Sequence, residues 1–139
     1  MKVFLDTNII IDFYDEREDF FHPAALIIEL AYQQKIQMAV SAITFVNAFY
    51  ILRKSYEQKE LYQAMKRLAT LCIISPIDAE IINTCLDMQS KDFEDAVQYK
   101  SAQSIEADII ITRNKKDYKS FQITTQTPIE FLDSFFKED

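Results

Sequence analysis

The sequence predicts an α/β protein with one open, mainly parallel sheet of four or five strands and helices on both faces. Short apolar segments alternate with segments whose apolar residues recur at helical spacing. The chain has 139 residues, of which 49% are hydrophobic and 27% charged, and this is enough apolar material for the core of one domain over residues 1–139. No repeat, linker or low-complexity segment divides the chain.

The first half predicts two strands, each followed by helices. Residues 2–5 form an apolar strand, and the polar residues 6–8 that close it can start a helix through residue 14. After a charged loop at residues 15–19, His22 and Pro23 open a helix that covers residues 24–34. Residues 37–40 then predict a strand, residues 41–56 a helix, and a further helix continues to residue 69.

The second half continues the alternation. Residues 71–74 predict a buried strand stopped by Pro76, and Asp78 starts a helix that ends at residue 88. Asp92 can cap a helix over residues 93–105, residues 108–112 form an apolar strand, and Thr127 with Pro128 begins the last helix.

Composition excludes several classes of function. The chain has no glycine, so it lacks the P-loop and the dinucleotide fingerprint, and its one histidine, His22, leaves no material for triads or histidine zinc sites. Cys72 and Cys85 lie in apolar segments and are predicted to be buried thiols. No apolar run is long enough for a membrane span or a signal peptide, so we expect a cytoplasmic protein without a membrane partner. The net charge of −7 repels nucleic acid unless positive charge is gathered locally.

Acidic residues follow two of the predicted strands. Asp6 comes after the first strand, and Asn114 and Asp117 come after the strand at residues 108–112. Ligands of such sheets bind beyond the carboxyl ends of the strands, so these side chains are expected at one edge. Asp92 and Asp95 are three apart at a helix start and share a face, whereas Glu94 is expected to point elsewhere. Taken singly, Asp6 and Asp92 are equally explained as helix caps and Asp117 as a surface acid.

Clustered carboxylates repel one another, and a divalent cation reverses that repulsion. Oxygen ligands without histidine or cysteine suit Mg²⁺ or Mn²⁺. One or two such ions can activate water and stabilise the leaving oxygen of a phosphodiester.

Four segments together resemble the PIN-domain family, metal-dependent ribonucleases that include the VapC-like toxins of bacterial toxin–antitoxin pairs. They are residues 3–12 (VFLDTNIIID), 41–54 (SAITFVNAFYILRK), 92–96 (DFEDA) and 107–118 (ADIIITRNKKDY). The similarity extends from residue 2 to about residue 132. It implies that Asp6 and Asp95 are catalytic metal ligands and that Asp117 or Asn114 fills the acidic position after the fourth strand. Asn47 stands where many PIN domains carry glutamate, so it contributes an amide oxygen without a charge.

The resemblance implies a Mg²⁺- or Mn²⁺-dependent endoribonuclease acting on single-stranded RNA. Asp6, Asp95, Asp117 and Asn47 would form the catalytic group, and secondary candidates are Asp92, Asn114, Asn8 and Thr112. Basic residues in two of the four segments can provide a positive rim for substrate, namely Arg53, Arg113, Lys115 and Lys116.

A protein antitoxin is an expected partner, with an apolar groove between the helices at residues 9–14 and 43–69 as its docking site, and a homodimer is compatible with the aromatic content. The alternative hypothesis is a weakly metal-binding or inactive PIN domain that binds nucleic acid or protein, and Asn47 and Asn114 motivate it. Phosphoryl transfer on Asp6, as in haloacid-dehalogenase-like phosphatases, is disfavoured because residue 8 is Asn and not Asp.

Overall fold

Five strands form a single parallel sheet. The computed structural model describes residues 1–137, in which the strands are β1 (Lys2–Leu5), β2 (Gln37–Ser41), β3 (Ile73–Ser75), β4 (Ile109–Ile111) and β5 (Thr124–Gln126). Their order across the sheet is β3-β2-β1-β4-β5, and each neighbouring pair is parallel. The predicted parallel α/β sheet is therefore confirmed. The strand order reverses beside β1, where such sheets bind ligands.

Within residues 1–137, six α-helices and one short 3₁₀ helix connect the strands, and a seventh α-helix follows β5. The helices are α1 (Thr7–Tyr14), α2 (Phe21–Tyr32), α3 (Ala42–Leu52), α4 (Gln58–Leu71), α5 (Ala79–Met88), α6 (Phe93–Ser104) and α7 (Pro128–Lys137), and the 3₁₀ helix covers Lys115–Tyr118. Asp6, Ser41, Asp78 and Asp92 begin four of them by accepting a hydrogen bond from a backbone amide of the first turn. Within residues 1–137 no helix has the length and apolar character needed to cross a bilayer.

Both faces of the sheet are covered because side chains of a strand alternate between them. Val3 and Leu5 of β1 face a large core built with α1, α2, α3, α4 and α7. Phe4 faces a smaller core on the other side, where Tyr99 and Ala102 of α6 and Tyr118 of the 3₁₀ helix cover it. Helix α5 packs on α6 through Ile81 and Cys85.

Glutamine and glutamate occupy the left-handed positions after helices that glycine fills in most proteins. Glu16, Gln34, Gln89 and Glu106 all have positive φ, between 48° and 61°. After α2, the amides of Gln34 and Lys35 bond back to Ala31 and Leu30, and the same pairing after α6 involves Glu106 and Ala107. The last carbonyl groups of these helices thus accept hydrogen bonds, at the energetic cost of placing a residue with a Cβ atom in the left-handed region.

The third predicted strand is wrong in position and in burial. Helix α4 continues through Leu71, because the amide of Cys72 still bonds to the carbonyl of Leu68, and β3 begins only at Ile73. Ile74 is 48% exposed because β3 lies at the edge of the sheet, so the apolar run does not mark a buried strand.

Two smaller differences concern helix ends and an additional strand. The helix predicted over residues 41–56 ends at Leu52, and residues 53–57 form the turn before α4. The strand β5 and the 3₁₀ helix were not predicted, since the residues of β5 are polar and lie at the other edge of the sheet. Both cysteines are free thiols, and Cys85 is buried as predicted, whereas Cys72 is only partly buried. Burial raises the pKa of Cys72 to about 12.

Candidate active site

Asp6 lies at the centre of the carboxyl edge of the sheet and is held by hydrogen bonds from two elements. It follows β1 directly and caps α1, with Oδ1 accepting from the amide of Thr7 at 2.8 Å. Its other oxygen, Oδ2, accepts from the Thr112 hydroxyl at 2.8 Å, at the end of β4. Only 7% of Asp6 is exposed, so this carboxylate is fixed in orientation.

Gln98 organises a buried polar network behind Asp6 and was not among the predicted site residues. Its Nε2 donates toward Asp6 Oδ1 at 3.3 Å, Thr7 Oγ1 at 3.2 Å and Thr44 Oγ1 at 3.1 Å, and its Oε1 accepts from Ser41. Gln98 is fully buried, as are Ser41 and Thr44. The available indication in the sequence is the spacing, since Gln98 lies three residues after Asp95 on the same helix face.

The beginning of α6 brings further carboxylates to this edge. Burial, followed by the charges of Asp92, Asp6, Asp117 and Glu94, raises the pKa of Asp95 from its ordinary value of 3.8 to about 7. Charges act at this strength only at short range in salt-containing water, so the five acids form one cluster. We call Asp6, Asp92, Glu94, Asp95 and Asp117 the acidic cluster.

Glu94 lies in the first turn of α6 and is exposed. Burial, then the charge of Asp6 and that of Asp92, raises the pKa of Glu94 above its ordinary value. Glu94 therefore interacts with the other acids through its charge, and the expectation that its side chain points away from Asp95 stays a prediction.

Two buried polar atoms beside Asp6 have no hydrogen-bond partner within the described residues. They are the hydroxyl of Tyr118 and the Oδ1 atom of Asn8. Burial and the charges of Asp6 and Asp95 raise the pKa of Tyr118, which places its hydroxyl at the acidic cluster. Buried polar atoms are normally paired, so these two indicate space for water or a bound ion.

The predicted amide and hydroxyl residues are spread around the same edge. Thr112 Oγ1 bridges Asp6 to the amide of Asn114 at 3.1 Å and to the Asn8 side chain at 3.5 Å. The side chain of Asn114 is exposed. Asn47 is half-buried on α3, one turn beyond the networked Thr44.

Arg113 contacts a buried acid instead of the acidic cluster. Its guanidinium donates to both carboxylate oxygens of Asp12, at 2.7 and 3.2 Å, and Asp12 is only 1% exposed. Burial raises the pKa of Asp12 despite the opposing effect of Arg113. The guanidinium also lies over the Phe20 ring at 4.1 Å. This arrangement fastens the loop after β4 to helix α1.

The other predicted substrate-binding residues fall into different places. Lys116 lines an open polar cleft of about 570 Å³ together with Asp92, Asp117, Lys91 and Lys119. Lys115 instead pairs with Glu130 at 3.0 Å. Arg53 follows the last residue of α3, about 17 Å along that helix from the site, and lies over the Tyr50 ring. The structure thus brings Lys116 to the acidic cluster and leaves Arg53 away from it.

The donor set fits a small, hard divalent cation. All candidate ligands are oxygen atoms, the acids repel one another, and the buried hydroxyl of Tyr118 is affected by the same carboxylates. Among the described residues no three acidic, histidine or cysteine side chains are placed to hold a metal ion together. Mg²⁺ is commonly bound by one or two carboxylates and several waters, so a site with only two carboxylate ligands is compatible with this ion.

Comparisons with known proteins define the family. The PIN domain model matches residues 2–116, and the chain therefore belongs to the PIN-domain family. It is 26% identical over 137 residues to a protein named Ribonuclease VapC1 from Aquifex aeolicus (strain VF5), covering 95% of this chain and 94% of that one.

Solved structures agree with this assignment. The toxin–antitoxin complex from Klebsiella pneumoniae contains a chain that is 25% identical, with a TM-score of 0.66 over 91% of this chain and 97% of that one. VapBC2 from Rickettsia felis, bound to a DNA fragment from its promoter, has the same fold, with a TM-score of 0.67, 18% identity and coverage of 91% and 98%. The matched residues 2–116 contain all the predicted site residues except Asp117, and the extent of the domain over residues 1–139 stays a prediction.

Proposed function

We propose that this protein is a Mg²⁺- or Mn²⁺-dependent endoribonuclease that cuts single-stranded RNA and acts as the toxin of a toxin–antitoxin pair. The acidic cluster is the observation that carries the proposal. Five carboxylates converge on the point where the strand order reverses, and the pKa of Asp95 is raised to about 7. Such repulsion destabilises the fold, and a bound cation removes it. The similarity to a protein named as a VapC ribonuclease supports RNA as the substrate.

Each residue of the site has a distinct task in this proposal. Asp6 and Asp95 hold the cation, and Asp117 completes the shell through water. The Asp6 carboxylate is oriented by Thr7, Thr112 and Gln98 before any ligand arrives. When bound, the cation lowers the pKa of a coordinated water and stabilises the negative charge that develops on the scissile phosphate. Asn47 orients water or substrate through its amide.

The polar cleft beside the cluster supports a backbone-binding role. Lys91, Lys116 and Lys119 line it together with Asp92 and Asp117. The lysines can contact phosphate oxygens close to the acids, which offsets locally the net charge of −7. An unpaired strand can present its backbone to such an open cleft without the width that a duplex requires.

The proposal is tested by incubating purified protein, freed of co-purified partner, with labelled single-stranded RNA in Mg²⁺, Mn²⁺ or EDTA. We expect cleavage with either ion, none in EDTA, and a loss of at least 100-fold in Asp6→Asn and Asp95→Asn. Asp87→Asn, which changes an exposed acid of α5, serves as the matched control and keeps full activity. No cleavage above that of Asp6→Asn with any ion would refute the nuclease.

A second candidate is a PIN domain that binds RNA or protein without cutting. One observation favours it: no three of the described side chains are preset to hold a metal ion. Under this alternative Asp6→Asn leaves RNA affinity unchanged, and no ion stimulates cleavage.

The antitoxin is proposed to dock on the face formed by α3 and α4. An apolar groove of about 410 Å³ lies there, lined by Phe45, Val46, Phe49, Tyr50, Tyr62 and Met65. Similar chains occur in toxin–antitoxin complexes, which supports a protein partner. We expected this groove to reach α1, but it does not, because Phe13 and Tyr14 of α1 pack against the main core. A homodimer stays a prediction.

A further inference from the structure

A second, mostly apolar pocket lies on the other side of the loop that follows β4. Its volume is about 340 Å³, and it lies between the start of α2, the start of α7 and the end of β4. The walls are formed by Phe20, Pro23, Pro128 and Ile129, with Arg113 and Asn114 at the side nearest the acidic cluster. Phe20 is 41% and Ile129 61% exposed, so apolar surface is open to solvent here.

The polar groups of this pocket are arranged for a planar, partly polar ligand. The guanidinium of Arg113 lies over the Phe20 ring, and its two hydrogen bonds to Asp12 fix its orientation in advance. Asn114 supplies an amide that can both donate and accept, and Asp19 and Thr127 add further polar groups at the rim. Aromatic faces and guanidinium planes are the surfaces on which proteins stack unpaired nucleobases.

The pocket is linked to the candidate active site through the residues that follow β4. The backbone amide of Asn114, a residue of the pocket wall, donates to Thr112 Oγ1 at 3.1 Å, and the Thr112 hydroxyl donates to Asp6 at 2.8 Å. The segment that follows β4 therefore lines both cavities. Arg113 and Asn114 line the pocket, and Lys116, Asp117 and Lys119 line the lysine-containing cleft. Thr112 thus connects the pocket wall at Asn114 to Asp6 through two consecutive hydrogen bonds.

The size of the pocket limits what it can hold. Ligand sites typically have volumes of about 300–1,000 Å³, so 340 Å³ admits one ring system and not a helix or strand. The adjoining cleft carries the lysines, while the pocket walls are apolar, as expected if the backbone and a base bind separately.

We propose that the pocket formed by Phe20, Pro23, Arg113, Asn114, Pro128 and Ile129 is a nucleobase subsite, which receives one unstacked base of a single-stranded RNA next to the phosphate that is cut. This inference rests on the proposed function, because it takes RNA as the ligand. The subsite gives the nuclease a preference among bases through Asn114 and Asp19, whose polar atoms can pair with base edges.

The test uses one short oligoribonucleotide and a series of copies in which a single position lacks its base. Binding to the wild-type chain is measured in EDTA, with the RNA checked on a gel to be intact, and cleavage is measured separately in Mn²⁺. We expect base removal at one position beside the cut to weaken binding and slow cleavage about tenfold. Phe20→Ala and Ile129→Ala should produce a similar loss with intact RNA and become insensitive to removal of that base.

Controls separate the subsite from a general effect on folding. Phe20→Tyr keeps an aromatic face and retains the response to base removal, whereas Tyr32→Ala, at a 73% exposed tyrosine of α2, changes nothing. If wild type cleaves RNA but no abasic position matters, or if Phe20→Ala still senses the missing base, the subsite is refuted and the nuclease stands. If nothing is cleaved, the nuclease is refuted, and the binding series still decides the subsite. Equal binding of intact and abasic RNA overturns it and leaves a side chain of a protein partner as the occupant.

Discussion

Replacing Asp95 with asparagine should stabilise the fold, although it removes a proposed metal ligand. The folded-state pKa of Asp95 is about 7 against an ordinary value of 3.8, so the folded chain holds this proton more tightly than the unfolded chain does. The unfolding free energy therefore falls as pH rises from about 4 to about 7, and the full cost is present at pH 8. Asp95→Asn removes that dependence.

The size of the gain follows from the proton affinities. At about 1.4 kcal/mol per tenfold change, the rise from 3.8 to about 7 corresponds to about 4 kcal/mol at pH 8. Asp95 is partly exposed and its neighbours are screened by salt, which reduces this figure. The charge also interacts favourably with the start of α6, which offsets about 0.5 kcal/mol. We therefore expect a gain of about 1–2 kcal/mol at pH 8 and a smaller gain at pH 5.

Urea unfolding at both pH values measures this effect. At pH 8 the midpoint of Asp95→Asn should lie about 0.5–1 M urea above that of the wild type. Asp87→Asn is the control for removing one negative charge from an exposed site. Excess Mg²⁺ should raise the wild-type midpoint at pH 8 and narrow the difference, because a ligand of the folded state stabilises it. An equal gain at pH 5 and pH 8, or none at pH 8, would show that Asp95 is not repelled by its neighbours.

Three further substitutions test other parts of the fold. Gln98→Met retains the volume of a fully buried side chain but removes its hydrogen bonds to Asp6 and Ser41. The unfolding free energy measured in urea should fall by about 2–3 kcal/mol, and a fall of less than about 0.5 kcal/mol would contradict the network. Arg113→Met leaves Asp12 buried without its close partner and should cost about 3–5 kcal/mol at pH 7, with a smaller cost at lower pH because burial raises the pKa of Asp12. Arg17→Met, at 3.7 Å from Asp12, should cost less than about 1 kcal/mol in the same melts. Gln89→Gly should raise the unfolding free energy by about 0.5–1 kcal/mol because φ is 48° there, while Gln33→Gly, where φ is −78°, gives no gain.

Elements that depend on a local pattern of residues could be predicted from the sequence. The strand at residues 2–5 and the helices begun by Asp78 and Asp92 are confirmed, because an apolar run or a capping side chain determines each of them. The two edge strands were harder to predict from the sequence. The prediction placed β3 too early in the chain, and β5 is formed by polar residues that pair only because β4 lies beside them. Strand pairing over long distances in the chain leaves no mark in the local pattern.

Some residues of the candidate site could be predicted from the sequence and others could not. The position of Asp6 at the carboxyl edge follows from topology, and the structure brings Asp95 and Asp117 to it. Gln98 was missed, because its hydrogen bonds to Asp6, Thr7, Thr44 and Ser41 join segments that are far apart in the chain. Arg113 looked like a free cation in the sequence, yet its partner Asp12 lies 101 residues earlier in the chain.

The span after β4 is anchored at both ends and exposed between them. Arg113 is tied to Asp12 at one end, and Tyr118 is buried against the smaller core at the other. The side chains between them, from Asn114 to Asp117, are exposed. Residues 114–116 can therefore be exchanged without loosening either anchor, whereas Asp117 acts on Asp95 and belongs to the acidic cluster, so this part of the span can vary while the cluster and the stability of the fold are preserved.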